Sequence, residues 1–110
     1  MAEDNDDTLV EDSRPHWWLA TLGRTIVWAR LRERQAGTAE VFDSDGNTLV
    51  YDSTDSARAA LMDAEFVELE GLDHEDAADR GLDLDTLAPP RAETDDALRD
   101  RMVQQLPPRH

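Results

Sequence analysis

The stretch Thr25-Ile-Val-Trp-Ala-Arg-Leu-Arg-Glu-Arg34 decides the fold. From Val27 onward, Val27, Ala29 and Leu31 fall on one side of the chain, and Trp28, Arg30 and Arg32 on the other. That alternation has a period of two, the side-chain period of a β-strand and not of a helix. Gln35-Ala-Gly37 reads as a reversal into a second strand, Thr38-Ala-Glu-Val-Phe42. Asp43-Ser-Asp-Gly-Asn47 is a hairpin signal into a third, Thr48-Leu-Val-Tyr51. The expected core is therefore a three-stranded antiparallel meander.

Turn position sets register. A turn at Gln35 to Gly37 pairs Arg32 with Glu40, Leu31 with Val41 and Arg30 with Phe42. A turn centred on Asp45-Gly46 pairs Phe42 with Leu49, Val41 with Val50 and Glu40 with Tyr51. One face is then Val27, Ala29, Leu31, Ala39, Val41 and Val50, small and aliphatic enough to accept a helix. The other carries Trp28, Phe42, Leu49 and Tyr51 among Arg30, Arg32 and Glu40. That second face is too apolar to stay in water, so the Trp17-Trp18-Leu19 segment, a C-terminal helix or a partner must cover it.

Downstream, Asp52-Ser-Thr-Asp-Ser56 offers N-caps ahead of Ala57, Ala60, Leu61 and Ala64, a helical stripe that predicts a helix from about Asp55 to about Val67. Asp73 as N-cap and Gly81 as stop delimit a second, short helix. Residues 83–91, with Pro89-Pro90, read as a linker. Thr94-Asp-Asp96 caps a third helix that carries Leu98, Met102 and Leu106 and stops at Pro107-Pro108. The fold class is α+β: the meander, a helix on one face and short C-terminal helices. The organisation is a disordered acidic tail over 1–14, one compact domain over 15–82, and a linker with an amphipathic helix over 83–110.

Charge is the dominant compositional feature. The 110 residues hold 26 carboxylates against 11 basic residues, every one an arginine, for a net charge of −15. Residues 1–14 carry −5, residues 15–42 carry +2 and residues 43–110 carry −12. The acids are spread along the chain and lysine is absent. This favours a halophilic or background adaptation of composition over a dedicated acidic motif. Without cysteine there is no disulfide, thiolate metal site or cysteine nucleophile, which suits a reducing compartment. No apolar run approaches the length of a membrane helix and the N-terminus is acidic, so a cytoplasmic location and no membrane contact are expected.

Chemistry-bearing motifs are few. Asp43 to Asn47 resembles the opening of a calcium loop, but Thr48 and Thr54 stand where that loop needs glycine and a bidentate glutamate. His74 among Asp73, Glu75 and Asp76 lacks the i, i+3 or i+4 spacing of helical ligands. No nucleophile elbow or phosphate-cradling glycine loop is present. The expectation is a non-enzymatic protein with no cofactor and no metal.

The candidate binding residues are Trp28, Arg30, Arg32, Phe42, Leu49 and Tyr51, an aromatic and arginine sheet face able to hold a protein partner or a second copy of the chain. The same residues also have a purely architectural reading, with the arginines paired to Glu40 and stacked on the rings. The alternative function is nucleic-acid-related: direct binding by the arginine strand, or mimicry of nucleic acid by the acidic surface. The strand–strand–strand–helix order of residues 25–67, with a helix opening Asp52-Ser-Thr-Asp-Ser-Ala-Arg-Ala-Ala60, resembles the sheet-plus-helix DNA-binding modules of the AP2 type. That resemblance implies a sheet laid in a major groove and supplies no base-reading residue here, while a net charge of −15 repels a duplex.

Overall fold

A computed structural model describes residues 14–106. Most of the acidic tail, residues 1–13, and the Pro107-Pro108 stop lie outside the described residues. The structure is a mixed α+β fold built on an antiparallel sheet.

The meander is present. Strand β2 (Thr25–Glu33) pairs with β3 (Ala39–Phe42), and β3 pairs with β4 (Thr48–Tyr51). The β2–β3 register is the expected one, with Arg30 opposite Phe42, Leu31 opposite Val41 and Arg32 opposite Glu40. The sheet also extends beyond the meander. The Trp17-Trp18-Leu19 segment is not a cover but part of a strand, β1 (His16–Leu22), which sets Trp17 opposite Arg30, Trp18 opposite Ala29 and Leu19 opposite Trp28.

The second hairpin departs from expectation by one residue. Phe42 lies opposite Thr48, Val41 opposite Leu49, Glu40 opposite Val50 and Ala39 opposite Tyr51. The cause is the turn: all of Asp43 to Asn47 forms the loop. The Asp43 amide donates to the Asn47 carbonyl (3.0 Å), Gly46 adopts φ 86°, and Asp43 Oδ1 accepts from the amides of Asp45 and Asn47, each at 3.0 Å. A five-residue loop in place of a two-residue turn slips the pairing by one, and a slip of one moves every β4 side chain to the opposite face. Leu49 and Tyr51 therefore share a face with Val41 and Ala39, while Val50 joins the face of Trp28.

Helix α1 (Thr54–Asp63) packs on the first face. Ser53 caps it, its hydroxyl accepting from the Ser56 amide at 3.0 Å, and Ala57 and Leu61 are buried against Trp18, Ala29, Leu31, Ala39 and Val41. It ends earlier than the apolar stripe suggests. Glu65 turns left-handed at φ 71° and the Phe66 amide donates back to the Leu61 carbonyl (2.9 Å), a C-terminal closure usually made by glycine. The chain then crosses the sheet to its far side, where β5 (Val67–Glu68) pairs with β1. The strand order is β4-β3-β2-β1-β5.

After a 3-10 turn at Leu69–Gly71, the rest of the chain covers the second face. Helix α2 (His74–Asp79) begins at Asp73, whose carboxylate accepts from the Asp76 amide (2.7 Å), and closes at Gly81 with φ 78°. Helix α3 (Asp95–Arg99) is capped by Thr94 as expected, but it lasts only five residues. Met102 and Leu106 do not continue it. Residues Val103–Gln105 form β6, antiparallel to the first part of β2, so that β3 and β6 share the same edge of that strand. Leu82, Leu98 and Met102 are buried with Leu19, Ile26, Trp28 and Phe42. Of the stretch 83–110, Leu98 and Met102 thus lie in the same core, and Leu84, Leu87, Ala92 and Leu106 pack against it.

Candidate functional site

The six expected site residues separate into three places. Trp28 and Phe42 belong to the core: Trp28 is 0% exposed and Phe42 is buried beside it. The Trp28 amide donates to the Met102 carbonyl (2.8 Å), and its indole Nε1 donates to Gln104 Oε1 (3.0 Å). Gln104 is the one inward-facing residue of β6, and its polar side chain satisfies a buried indole N–H that would otherwise be orphaned. The ring of Trp17 meets Trp28 edge-on at 6.0 Å. Trp28 and Phe42 are thus packed under Leu82, Leu98 and Met102 of the chain's own C-terminal segment.

Arg30 and Arg32 lie at one end of the covered face. Arg30 is 4% exposed. Its guanidinium sits 5.0 Å from the Phe42 ring centroid, Nη1 donates to Asp95 Oδ1 (3.1 Å), Nη2 lies 3.9 Å from Glu40 Oε2, and Nε is buried without a partner. Glu40, itself buried, accepts from Arg34 Nη2 at 2.7 Å and Nε at 3.2 Å. The expected cross-strand pairing of Arg32 with Glu40 holds in the backbone register, but Arg34 is the arginine that bonds the carboxylate. Burial, and then the charge of Arg30, hold the Arg32 guanidinium below its ordinary pKa, with Glu40 and Asp95 acting in the opposite sense. Among the described residues no carboxylate lies within ion-pair distance of Arg32 or Arg91.

Beside these arginines opens a cleft of about 450 Å³ whose walls include Trp17, Arg30, Arg32, Pro89, Pro90 and Arg91. Pro89 to Arg91 falls in the expected linker, because a Pro-Pro pair carries no periodicity; nothing local in the sequence shows that it lies beside Arg30 and Arg32 of β2.

Leu49 and Tyr51 lie on the terminal strand, β4. Thr48, Leu49 and Val50 are exposed and Tyr51 is half-buried. Among the described residues no strand pairs with the outer edge of β4.

His16 Nδ1 lies 3.7 Å from Glu68 Oε2 and 4.0 Å from Glu70 Oε1, a histidine and two carboxylates close enough to share a cation. Glu68 is already engaged, since its Oε1 accepts from Arg58 Nη1 at 2.9 Å, and Arg58 in turn lies over the Trp18 ring. His74 Nε2 lies 2.9 Å from Asp85 Oδ1, and that hydrogen bond raises the imidazole pKa above its ordinary value, helped by the charges of Asp85, Asp83 and Asp73. The recorded partners of both described histidines are carboxylates, not hydroxyls. No helix of the described residues is long and apolar enough to cross a membrane. Neither a family model, nor a curated protein, nor a solved structure matches this chain.

Proposed function

We propose that the protein is a non-enzymatic interaction module that captures an extended segment of a partner protein along the open edge of β4. The observation that carries this reading is the character of that edge. Thr48-Leu-Val-Tyr51 has no charged residue and no proline, the usual guards of a sheet edge, although the chain around it is densely acidic. Leu49 and Val50 are 48% and 52% exposed, one on each side of the strand, so an added strand gains backbone hydrogen bonds together with an apolar contact on either face.

Charge selects the occupant. Asp43 and Asp45 precede β4, and Asp52 and Asp55 follow it. A second copy pairing antiparallel to β4 brings the two acidic ends together, which opposes self-association. A partner strand with basic flanks meets carboxylates at both ends, and a net charge of −15 steers such a partner in. Function in the cytoplasm belongs to the same proposal, supported by the absence of cysteine.

The test is an amide NMR titration with a synthetic peptide of alternating valine and threonine flanked by lysines. Three comparisons accompany it: the same peptide with glutamate flanks, the peptide N-methylated at alternate amides, and sizing of the protein alone. The proposal predicts saturable shifts centred on residues 47–52, weakened by acidic flanks and abolished by N-methylation, with a monomer in solution. Binding that survives N-methylation, shifts confined elsewhere, or a stable dimer would contradict it.

A further inference from the structure

We infer that the cleft bounded by Trp17, Arg30, Arg32 and Pro89-Pro90-Arg91 binds a small-molecule monocarboxylate carried on an apolar body. Charge selects the anion. In a chain with 26 carboxylates, three arginines line this cleft and, among the described residues, no carboxylate does. The acidic side chains that face those arginines are Glu40 and Asp95, both beside Arg30. Set in full against Arg30, Arg32 and Arg91, these two carboxylates leave an excess of one positive charge. A single carboxylate cancels that excess. A phosphomonoester, with about one and a half to two negative charges near neutral pH, overshoots it in a chain that already carries −15.

The donors that line the cleft are incompletely satisfied. The Arg30 side chain is more than nine-tenths buried, yet its Nε has no partner and its Nη2 lies 3.9 Å from Glu40, beyond hydrogen-bond length. Its Nη1 donates to Asp95, a mostly exposed side chain. Arg32 is desolvated beside the like charge of Arg30 without a bonded carboxylate, a state that an anion relieves. A guanidinium and a carboxylate are both planar and meet through two parallel N–H···O bonds, so Arg32 and Arg91, neither within ion-pair distance of a described carboxylate, suffice to hold the group.

The walls favour an apolar body behind the charge. Trp17, held edge-on by Trp28, and the Pro89-Pro90 rings give a rigid apolar surface beside the arginines, and about 450 Å³ is within the range of small-molecule sites. The segment that carries Arg91 is tied down, since Pro90 is buried and Arg101 Nη1 donates to the Arg91 carbonyl at 2.6 Å. The site is independent of the β4 edge, because Arg30 and Arg32 lie on β2 and Arg91 on the segment ahead of α3.

Calorimetric titration of the full chain at about 0.1 M salt, where charges beyond about 10 Å are screened, tests the site with four probes. These are 2-naphthoate, acetate, 2-naphthol and 2-naphthyl phosphate, which separate the carboxylate, the apolar body and the number of charges. The proposal predicts saturable binding of 2-naphthoate, acetate weaker by about tenfold or more, no binding of 2-naphthol, and 2-naphthyl phosphate no tighter than 2-naphthoate. It predicts a shift of the Trp17 indole resonance on binding. Arg32→Gln and Arg91→Gln, neither of which strips a recorded partner from a carboxylate, each weaken 2-naphthoate by about tenfold while circular dichroism and melting stay unchanged. No saturable event below about 10 mM 2-naphthoate overturns the proposal. So does 2-naphthol or 2-naphthyl phosphate binding more tightly than 2-naphthoate, or a folded double variant that binds like the parent.

Discussion

Replacing Met102 with alanine measures how far the C-terminal segment belongs to the core. Met102 is 0% exposed and packs with Leu19, Ile26, Trp28, Phe42, Ala77, Leu82 and Leu98. Its carbonyl accepts the Trp28 amide, and that bond survives the substitution, so the variant isolates side-chain packing. Truncating a fully buried methionine costs about 2–5 kcal/mol through lost transfer energy and the cavity left behind. Against the total of about 5–15 kcal/mol usual for a single domain, that is a large fraction. At about 4–8 °C per kcal/mol the midpoint should fall by about 10 °C or more. Val103→Ala, on the neighbouring residue that is 48% exposed, is the control, with an expected effect within about 0.5 kcal/mol. Thermal and urea unfolding followed by circular dichroism provide both values. Equal, small effects for the two variants would mean that residues 95–106 only flank the domain, and would refute the packing argument.

Three further predictions rest on separate features. Melting temperature should rise by several degrees between dilute buffer and about 1 M KCl, where the screening length falls to about 3 Å, because a net charge of −15 opposes compaction; an unchanged or lower midpoint contradicts the salt-adaptation reading. Glu65→Gly should stabilise by about 0.5–1 kcal/mol in urea unfolding, because the left-handed φ of 71° costs a side-chain-bearing residue more than glycine's extra unfolded freedom; a loss of stability contradicts this. His74 should titrate above its ordinary value of about 6.5 by proton NMR and return towards it in Asp85→Asn. Since the folded value is raised, the pair's contribution to stability is fully present below the unfolded pKa and fades as pH rises through the folded one; a titration at or below the ordinary value removes the pairing.

Local signals made half of this fold readable. The period-two run of β2, the Asp73 and Thr94 caps, and the Gly81 stop all act within a few residues and stand where the sequence places them, and Ser53 is the one of the candidates from Asp52 to Ser56 that caps α1. What failed depends on distant pairing. Leu98, Met102 and Leu106 have helical spacing, but Met102, Gln104 and Leu106 also have strand spacing. The choice is made by the open edge of β2 and by the indole of Trp28, far away in sequence. The β4 faces were inverted because Asp43 accepts two loop amides and so lengthens the turn, a side-chain effect invisible to residue alternation. For the site, Arg30 and Arg32 were legible as a pair from their alternation on one strand. Trp17 and Arg91 were not, since only the β1–β2 register and the return of the Pro89-Pro90 segment bring them alongside.

The central claim is that Trp28 and Phe42 are packed under the chain's own C-terminal segment, while among the described residues no strand pairs with the outer edge of β4. Native-state amide and indole hydrogen exchange, read residue by residue by NMR, tests it most directly. The account predicts that the Trp28 backbone amide and its indole N–H, bonded to Met102 and Gln104, exchange only through global unfolding, while alternate amides of Thr48 to Tyr51 exchange rapidly. Fast exchange at both Trp28 positions, together with uniform protection along β4, would contradict it.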